Sequence, residues 1–208
     1  MTNLSTQKRI ESIITSLSQG ILFELTDDSR AQQTVKGLSE GYQFIIDSDL
    51  EKYDMGEREF FQLAGLVNQQ PVHLSPEGLP YRQNSAQITS MPHPPHPSVI
   101  PSLMNQVFYL TSDESPKSGI EKAAICQGGV FAIQPLDDGN KRVGRVMADR
   151  VMIRNGLNIP GYESREEYIG CLEGVYRNIK DRIRHTDDIS DSSLYEPLID
   201  KIARAQHE

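Results

Sequence analysis

Cysteine is scarce in this chain of 208 residues: only Cys126 and Cys171 are present, each inside an apolar helical pattern. Two such cysteines make no disulfide framework and suit a reducing compartment. No Cys/His cluster is available for structural zinc. Basic residues do not prevail either. The 29 acids against 21 Lys and Arg leave a formal net charge of −8, which argues against a nucleic-acid or membrane-surface binder, because both depend on basic patches. No apolar run approaches the roughly 20 residues of a membrane span, and the opening M-T-N-L-S-T-Q-K-R has no apolar stretch behind its charges. The expectation is a cytoplasmic protein of bacterial type, or an effector delivered without a cleavable signal. There is no internal repeat or low-complexity tract. The length suits one packed domain with a small helical arm.

What is there is helical periodicity. Ile10, Ile13, Ile14 and Leu17 recur at helical spacing after Ser5 and Thr6, with Gly20 as a stop. A turn at Thr26 to Arg30 leads into a second helical pattern, Val35 to Leu50, weakened by Gly37 and Gly41. Asp54 with Glu57 suits the start of a strongly apolar helix through Phe60, Phe61, Leu63, Ala64, Leu66 and Val67. Residues 71 to 98 hold seven prolines, too many for a plain connection, and read as a functional loop. His93 and His96 within it suit partly solvated spacers better than metal ligands. Ser98 is placed to cap a helix from Val99 to Leu110 with Pro101 in its first turn. Lys117 to Phe131 makes another helix, interrupted by Gly128 and Gly129. Ser164 with Glu167 opens one through Ile179, residues 184 to 192 read as loop, and Ser193 with Glu196 caps a last helix through Ala203. The class is all-α, six to nine helices.

Between the last two patterns of the core lies Gln134 to Arg145, Q-P-L-D-D-G-N-K-R-V-G-R, opening an amphipathic run from Val143 to Asn155 that ends at Gly156. A helix N-terminus presents N–H groups without intrahelical partners and a partial positive charge. Gly139 permits a turn of positive φ and close approach, and Arg142 and Arg145, three apart, share a helical face. Asp137 and Asp138 are the kind of carboxylates that hold a divalent cation beside substrate phosphates. The stretch reads as a phosphate and metal site. From the residues alone, an ordinary capped helix with a solvated basic face is an equal reading.

The stretch resembles the signature of the Fic (Fic/Doc) family, H-x-F-x-(D/E)-G-N-G-R-x-x-R, with Asp138, Gly139, Asn140, Arg142 and Arg145 on the family positions. The resemblance runs from Tyr81 to Ile179. It takes in a flap-like Y-R and Ala86 to Ile88 stretch, the P-H-P-P-H-P-S-V-I-P-S-L-M segment, the motif, and a following Y-x-x-x-L helix. It implies an all-α Fic bundle with a short β-hairpin flap and a single domain, 1–208. In that domain residues 1–52 are N-terminal helices of possible regulatory use, 53–180 the core and 181–208 a C-terminal helix. It also implies AMP transfer from ATP to a protein hydroxyl. Asp138 would meet Mg2+, Gly139 and Asn140 would form an anion hole, and Arg142 and Arg145 would clamp phosphates. The target protein would sit at the flap, residues 80–95. K-G-L-S-E-G at 36 to 41 matches part of a family inhibitory signature, which makes Glu40 a candidate to engage Arg145, although Lys36 stands where that signature has Ser or Thr.

Three positions of the signature depart, and one before it. Gln134 stands in the place of the general-base histidine, and a primary amide does not titrate near neutrality; such a base is typically worth about a hundred- to ten-thousand-fold in rate. Gln127 takes the place of a second family histidine seven residues earlier. Leu136 replaces a phenylalanine as another apolar anchor. Lys141 replaces the second glycine, as in a relative that acts as a kinase. The chain is therefore expected to be a nucleotidyltransferase of weakened or unorthodox chemistry. The alternatives are a nucleotide-binding pseudoenzyme that regulates a partner protein, and phosphoryl or other transfer from a donor such as another nucleotide or CDP-choline.

Overall fold

The computed structural model describes residues 28–47, 53–70, 81–84, 94–162, 164–185 and 188–207. The expected helix at Ile10 to Leu17, the Ala86 to Ile88 flap and His93 lie outside the described residues. Among these residues eight α-helices follow in order: α1 Asp28–Asp47, α2 Glu57–Val67, α3 Ile100–Thr111, α4 Gly119–Ile133, α5 Asn140–Arg154, α6 Arg165–Ile179, the single turn α7 Arg182–His185, and α8 Glu196–Arg204. Among the described residues there is no strand, and no helix is long and apolar enough to cross a membrane.

The bundle is built around α4. Every residue from Ala123 to Ile133 is buried, and a helix apolar on all sides has nowhere to go but the middle. Gly128 and Gly129 do not interrupt it. They thin it: a Cβ on Gly128 would lie 2.8 Å from Val175 and 3.1 Å from Leu198, so α6 and α8 sit against bare backbone. Helix α5 runs alongside, with Gly144 placing its own missing Cβ 3.2 Å from the Gln127 carbonyl. Helix α1 covers the far side through buried Leu38, Tyr42 and Ile45, and its Gly37 lies against the Val67 carbonyl that ends α2.

Helix starts differ from the sequence expectation wherever a capping residue has stronger business elsewhere. Asp54 does not cap α2: its carboxylate accepts the Asp113 N–H (3.0 Å) and pairs with Arg154 (2.9 Å). Gly56 takes the N-cap position, its N–H donating to Glu59 at 3.1 Å. A 3-10 turn, Pro97–Val99, precedes α3, and His96 Nδ1 rather than Ser98 accepts the first N–H. A second, Ser192–Tyr195, precedes α8 and starts on Asp191. Ser164 caps α6 as expected, accepting the Glu167 N–H at 3.1 Å. The expected loop at 184 to 192 is entered by α7.

Both cysteines are free thiols. Burial pushes the Cys126 thiol up to about 11, so Cys126 is expected to resist iodoacetamide at pH 8 in the folded chain and to react fully in denaturant. The sign of the linkage follows. An unfolded thiol ionises near pH 8.5, so this contribution to stability is complete below that value and is lost as pH climbs through the folded value of about 11. Labelling of Cys126 under native conditions at the rate of the unfolded chain would show the site open to solvent.

Candidate functional site

The stretch from Gln134 to Arg145 crosses from the end of α4 to the start of α5. Gln134 ends α4 in the left-handed conformation, φ 51°, its N–H bonded to the Val130 carbonyl at 3.0 Å. Gly139 is the N-cap of α5 at φ 78°. Between these two left-handed residues the loop is tied by Asn140. Its Oδ1 accepts the Leu136 N–H (2.9 Å), and its Nδ2 donates to the Leu136 carbonyl (2.8 Å) and to Gln134 Oε1 (2.9 Å). The Gln134 amide completes the tie by donating to the Phe131 carbonyl at 2.5 Å. Both ends of that amide are thus engaged within the loop.

Two residues that sequence reasoning did not single out hold the loop from outside. Arg82 is 2% exposed. Its guanidinium donates to the carbonyls of Gln134 (2.6 Å), Asn84 (2.8 Å) and Pro95 (2.5 Å), while its own N–H bonds the Pro135 carbonyl at 3.0 Å. It ties residues 82–84 and Pro95 of the proline-rich segment to the motif. Asn68, just past α2, donates to the Asp138 carbonyl at 3.0 Å. The Y-R pair was visible as part of the flap, but nothing in its spacing revealed a fork for three carbonyls.

A cavity of about 730 Å3 opens over the loop, within the range of small-molecule sites. It is lined by Gln134, Asp137, Asp138, Gly139, Asn140, Lys141 and Arg142 of the motif, by Phe131 of α4, and by Arg165, Glu166, Ile169, Gly170 and Glu173 of α6. The first N–H groups of α5 have no intrahelical partners, while the Gly139 N–H before them donates to Asp138 Oδ1 at 2.6 Å. Arg142 lies 3.4 Å from Asp138, whose side chain is 69% exposed, and 3.4 Å from the Thr34 hydroxyl. The donor set fits Mg2+: two adjacent carboxylates at the mouth of a roomy cavity leave space for the waters and phosphates that this ion keeps. Among the described residues no group of three or more His, Cys, Asp or Glu is arranged to hold a metal without a substrate.

Arg145 is not among the cavity-lining residues. Its Nε lies 2.9 and 3.1 Å from the two oxygens of Asp149, one turn on, and its Nη2 donates to the Pro160 carbonyl at 3.1 Å. The Tyr162 ring covers the guanidinium at 5.0 Å. Asp149 is wholly buried and also accepts the Tyr42 hydroxyl of α1 at 2.5 Å. Burial opposes the charge of Arg145, but the Asp149 carboxylate more than offsets it, so the guanidinium is held even more firmly protonated than usual. Burial, and then the same carboxylate, push the Tyr42 phenol well above its ordinary range. Glu40 bonds Gln69 (2.6 Å) and faces Lys36 (3.7 Å).

Among the described residues the architecture is an all-helical bundle in which Gly139 turns the loop that opens α5 beside a cavity. The chain belongs to the Fic/DOC family, whose model matches residues 47–152. A probable protein adenylyltransferase of Aquifex aeolicus (strain VF5) is 33% identical over 79 residues, 38% of this chain; the match takes in only 25% of that relative's length. Among solved structures, a Fic domain containing signaling protein from Bacteroides thetaiotaomicron superposes with a TM-score of 0.68 at 15% identity, covering 88% of this chain and 71% of that one. A Fic family protein from Desulfovibrio desulfuricans gives 0.53 at 18% identity, covering 99% and 66%. These structures establish a shared fold.

Proposed function

We propose that the chain binds a magnesium nucleotide in the cavity over α5 and is an attenuated protein nucleotidyltransferase. The observation that carries the reading is the lining itself: Asp138, Gly139, Asn140, Lys141 and Arg142 meet at one cavity, on a loop tied by the Asn140 side chain. The α5 N-terminus, Lys141 and Arg142 would seat the phosphates, and Phe131 and Ile169 offer apolar surface to a base. Mg2+, held by Asp138, would neutralise phosphate charge. In the transfer, the hydroxyl oxygen of a target side chain bonds the α-phosphorus and pyrophosphate leaves with the bridging oxygen. The hydroxyl proton passes to the departing phosphates or to solvent, because Gln134 cannot take it. Positioning and charge stabilisation supply the remaining acceleration, and a rate about a hundred- to ten-thousand-fold below a histidine enzyme is expected.

One observation favours a second reading, a nucleotide-binding pseudoenzyme acting on a partner protein: the Gln134 amide is closed on Phe131 and Asn140, which leaves it tied rather than presented to a nucleophile. Titration calorimetry with ATP and Mg2+, with mass spectrometry of the incubated protein, separates the two. Arg142→Ala is expected to weaken binding about tenfold or more through the lost charge-assisted contact. Gln134→His is expected to raise AMP labelling of the protein. Tight binding with no added mass in either form would favour the pseudoenzyme, and an added phosphate in place of AMP would favour phosphoryl transfer. No binding at all would sink the nucleotide assignment.

A further inference from the structure

Resting on the nucleotide reading, we propose that Arg165, in the first turn of α6, is the second arginine of the phosphate seat, beside Arg142 and Lys141. The signature puts that duty on Arg145, but Arg145 stands outside the lining and holds Asp149 with its Nε and Pro160 with its Nη2. Reaching the cavity would require breaking a pair whose acid is entirely buried. Arg165, by contrast, lines the cavity together with Lys141 and Arg142.

Its place follows from how α6 is moored. The Tyr168 hydroxyl donates to the Lys141 carbonyl at 3.3 Å, which fastens the first turn of α6 to the first turn of α5. Residues three apart on a helix share a face, so Arg165 lies on the side of α6 that Tyr168 fastens to the start of α5. Charge makes the same demand. The lining carries four carboxylates, Asp137, Asp138, Glu166 and Glu173, against three cations, Lys141, Arg142 and Arg165. Without Arg165 the α6 wall would present acids alone to a polyphosphate, and like charge in a confined site repels. An arginine there, with its planar fork, offers paired hydrogen bonds to phosphate oxygens and screens Glu166 and Glu173 from them.

The test is calorimetry with Mg-ATP and with inorganic pyrophosphate on the intact chain, Arg165→Ala, Arg165→Lys, and Arg58→Ala as an exposed arginine outside the cavity. Arg165→Ala is expected to bind both ligands about ten- to a hundredfold more weakly. Arg165→Lys should recover only part of the loss, since a point charge does not replace the fork, and thermal midpoints should be alike throughout. Binding by Arg165→Ala equal to that of Arg58→Ala overturns the assignment while leaving the nucleotide reading intact. Loss confined to ATP, with pyrophosphate unaffected, also overturns it by moving Arg165 to the nucleoside. An intact chain that binds neither ligand removes both readings.

Discussion

Asp149→Ala is expected to cost about 3–5 kcal/mol of folding free energy, the usual cost of breaking a buried ion pair from one side. The Asp149 side chain is 0% exposed and that of Arg145 9%, so water cannot replace the carboxylate. Its removal strands a guanidinium among Tyr42, Pro160 and Tyr162 and takes the acceptor from the Tyr42 hydroxyl. Arg145→Ala should be comparably harmful, since it leaves the acid buried with only the phenol. Replacing the whole set by apolar groups, Tyr42→Phe with Arg145→Met and Asp149→Leu, is expected to restore most of the loss, because then no charge is left inside. Urea midpoints at unchanged slope measure this. A cost below 1 kcal/mol for Asp149→Ala would mean that the pair opens to solvent. A triple variant no better than the single would mean that shape, not charge, is what the site needs.

Gly139→Ala should do more damage to binding than its small size suggests. A non-glycine residue in the left-handed region costs about 1–2 kcal/mol. The new Cβ would also fall 1.8 Å from Asn68 Oδ1, displacing the side chain that donates to the Asp138 carbonyl; a hydrogen bond of that kind is worth about 1 kcal/mol. Together the expected destabilisation is about 2–3 kcal/mol. Nucleotide binding should fall further, about a hundredfold or beyond, because a misplacement of about 1 Å in a positioning loop commonly has that effect. Adding Asn68→Gly removes the clash but leaves the strained φ of 78°, so the double variant should recover stability in part. Full binding by Gly139→Ala would show that the turn is not what holds the phosphates.

The all-helical class was legible because its signal is long and periodic; α4, α5 and α6 lie where their apolar spacing puts them. The starts of α2, α3 and α8 were harder. A side chain such as Asp54 offers its oxygens equally to its own helix and to Arg154, a hundred residues away, and local pattern cannot weigh a partner it does not contain. The site divides in the same way. Gln134 through Arg142 were readable together because they are contiguous and stay together at the cavity. Arg82, Asn68 and Arg165 join them only through folding, across separations of 52 residues for Arg82 to Gln134 and 70 for Asn68 to Asp138. Arg145 is the instructive case: a helical face was inferred from its three-residue spacing to Arg142, but the acid at the next turn, Asp149, competes for its guanidinium. That spacing was in view, set among Val146, Met147, Val151 and Met152, and an acid in such company needs a buried partner.

The stretch matched by the family model begins at residue 47, yet Leu38, Tyr42 and Ile45 are core residues and Tyr42 reaches Asp149 across 107 positions. The self-sufficient folding unit is therefore larger than the recognisable one. Helix α1 is no detachable arm: a chain cut at the family boundary would bare an apolar face along α2 and α5 and leave an acid in the interior short of a donor. Anyone trimming this protein would have to keep the helix from Asp28 to Asp47 with the rest.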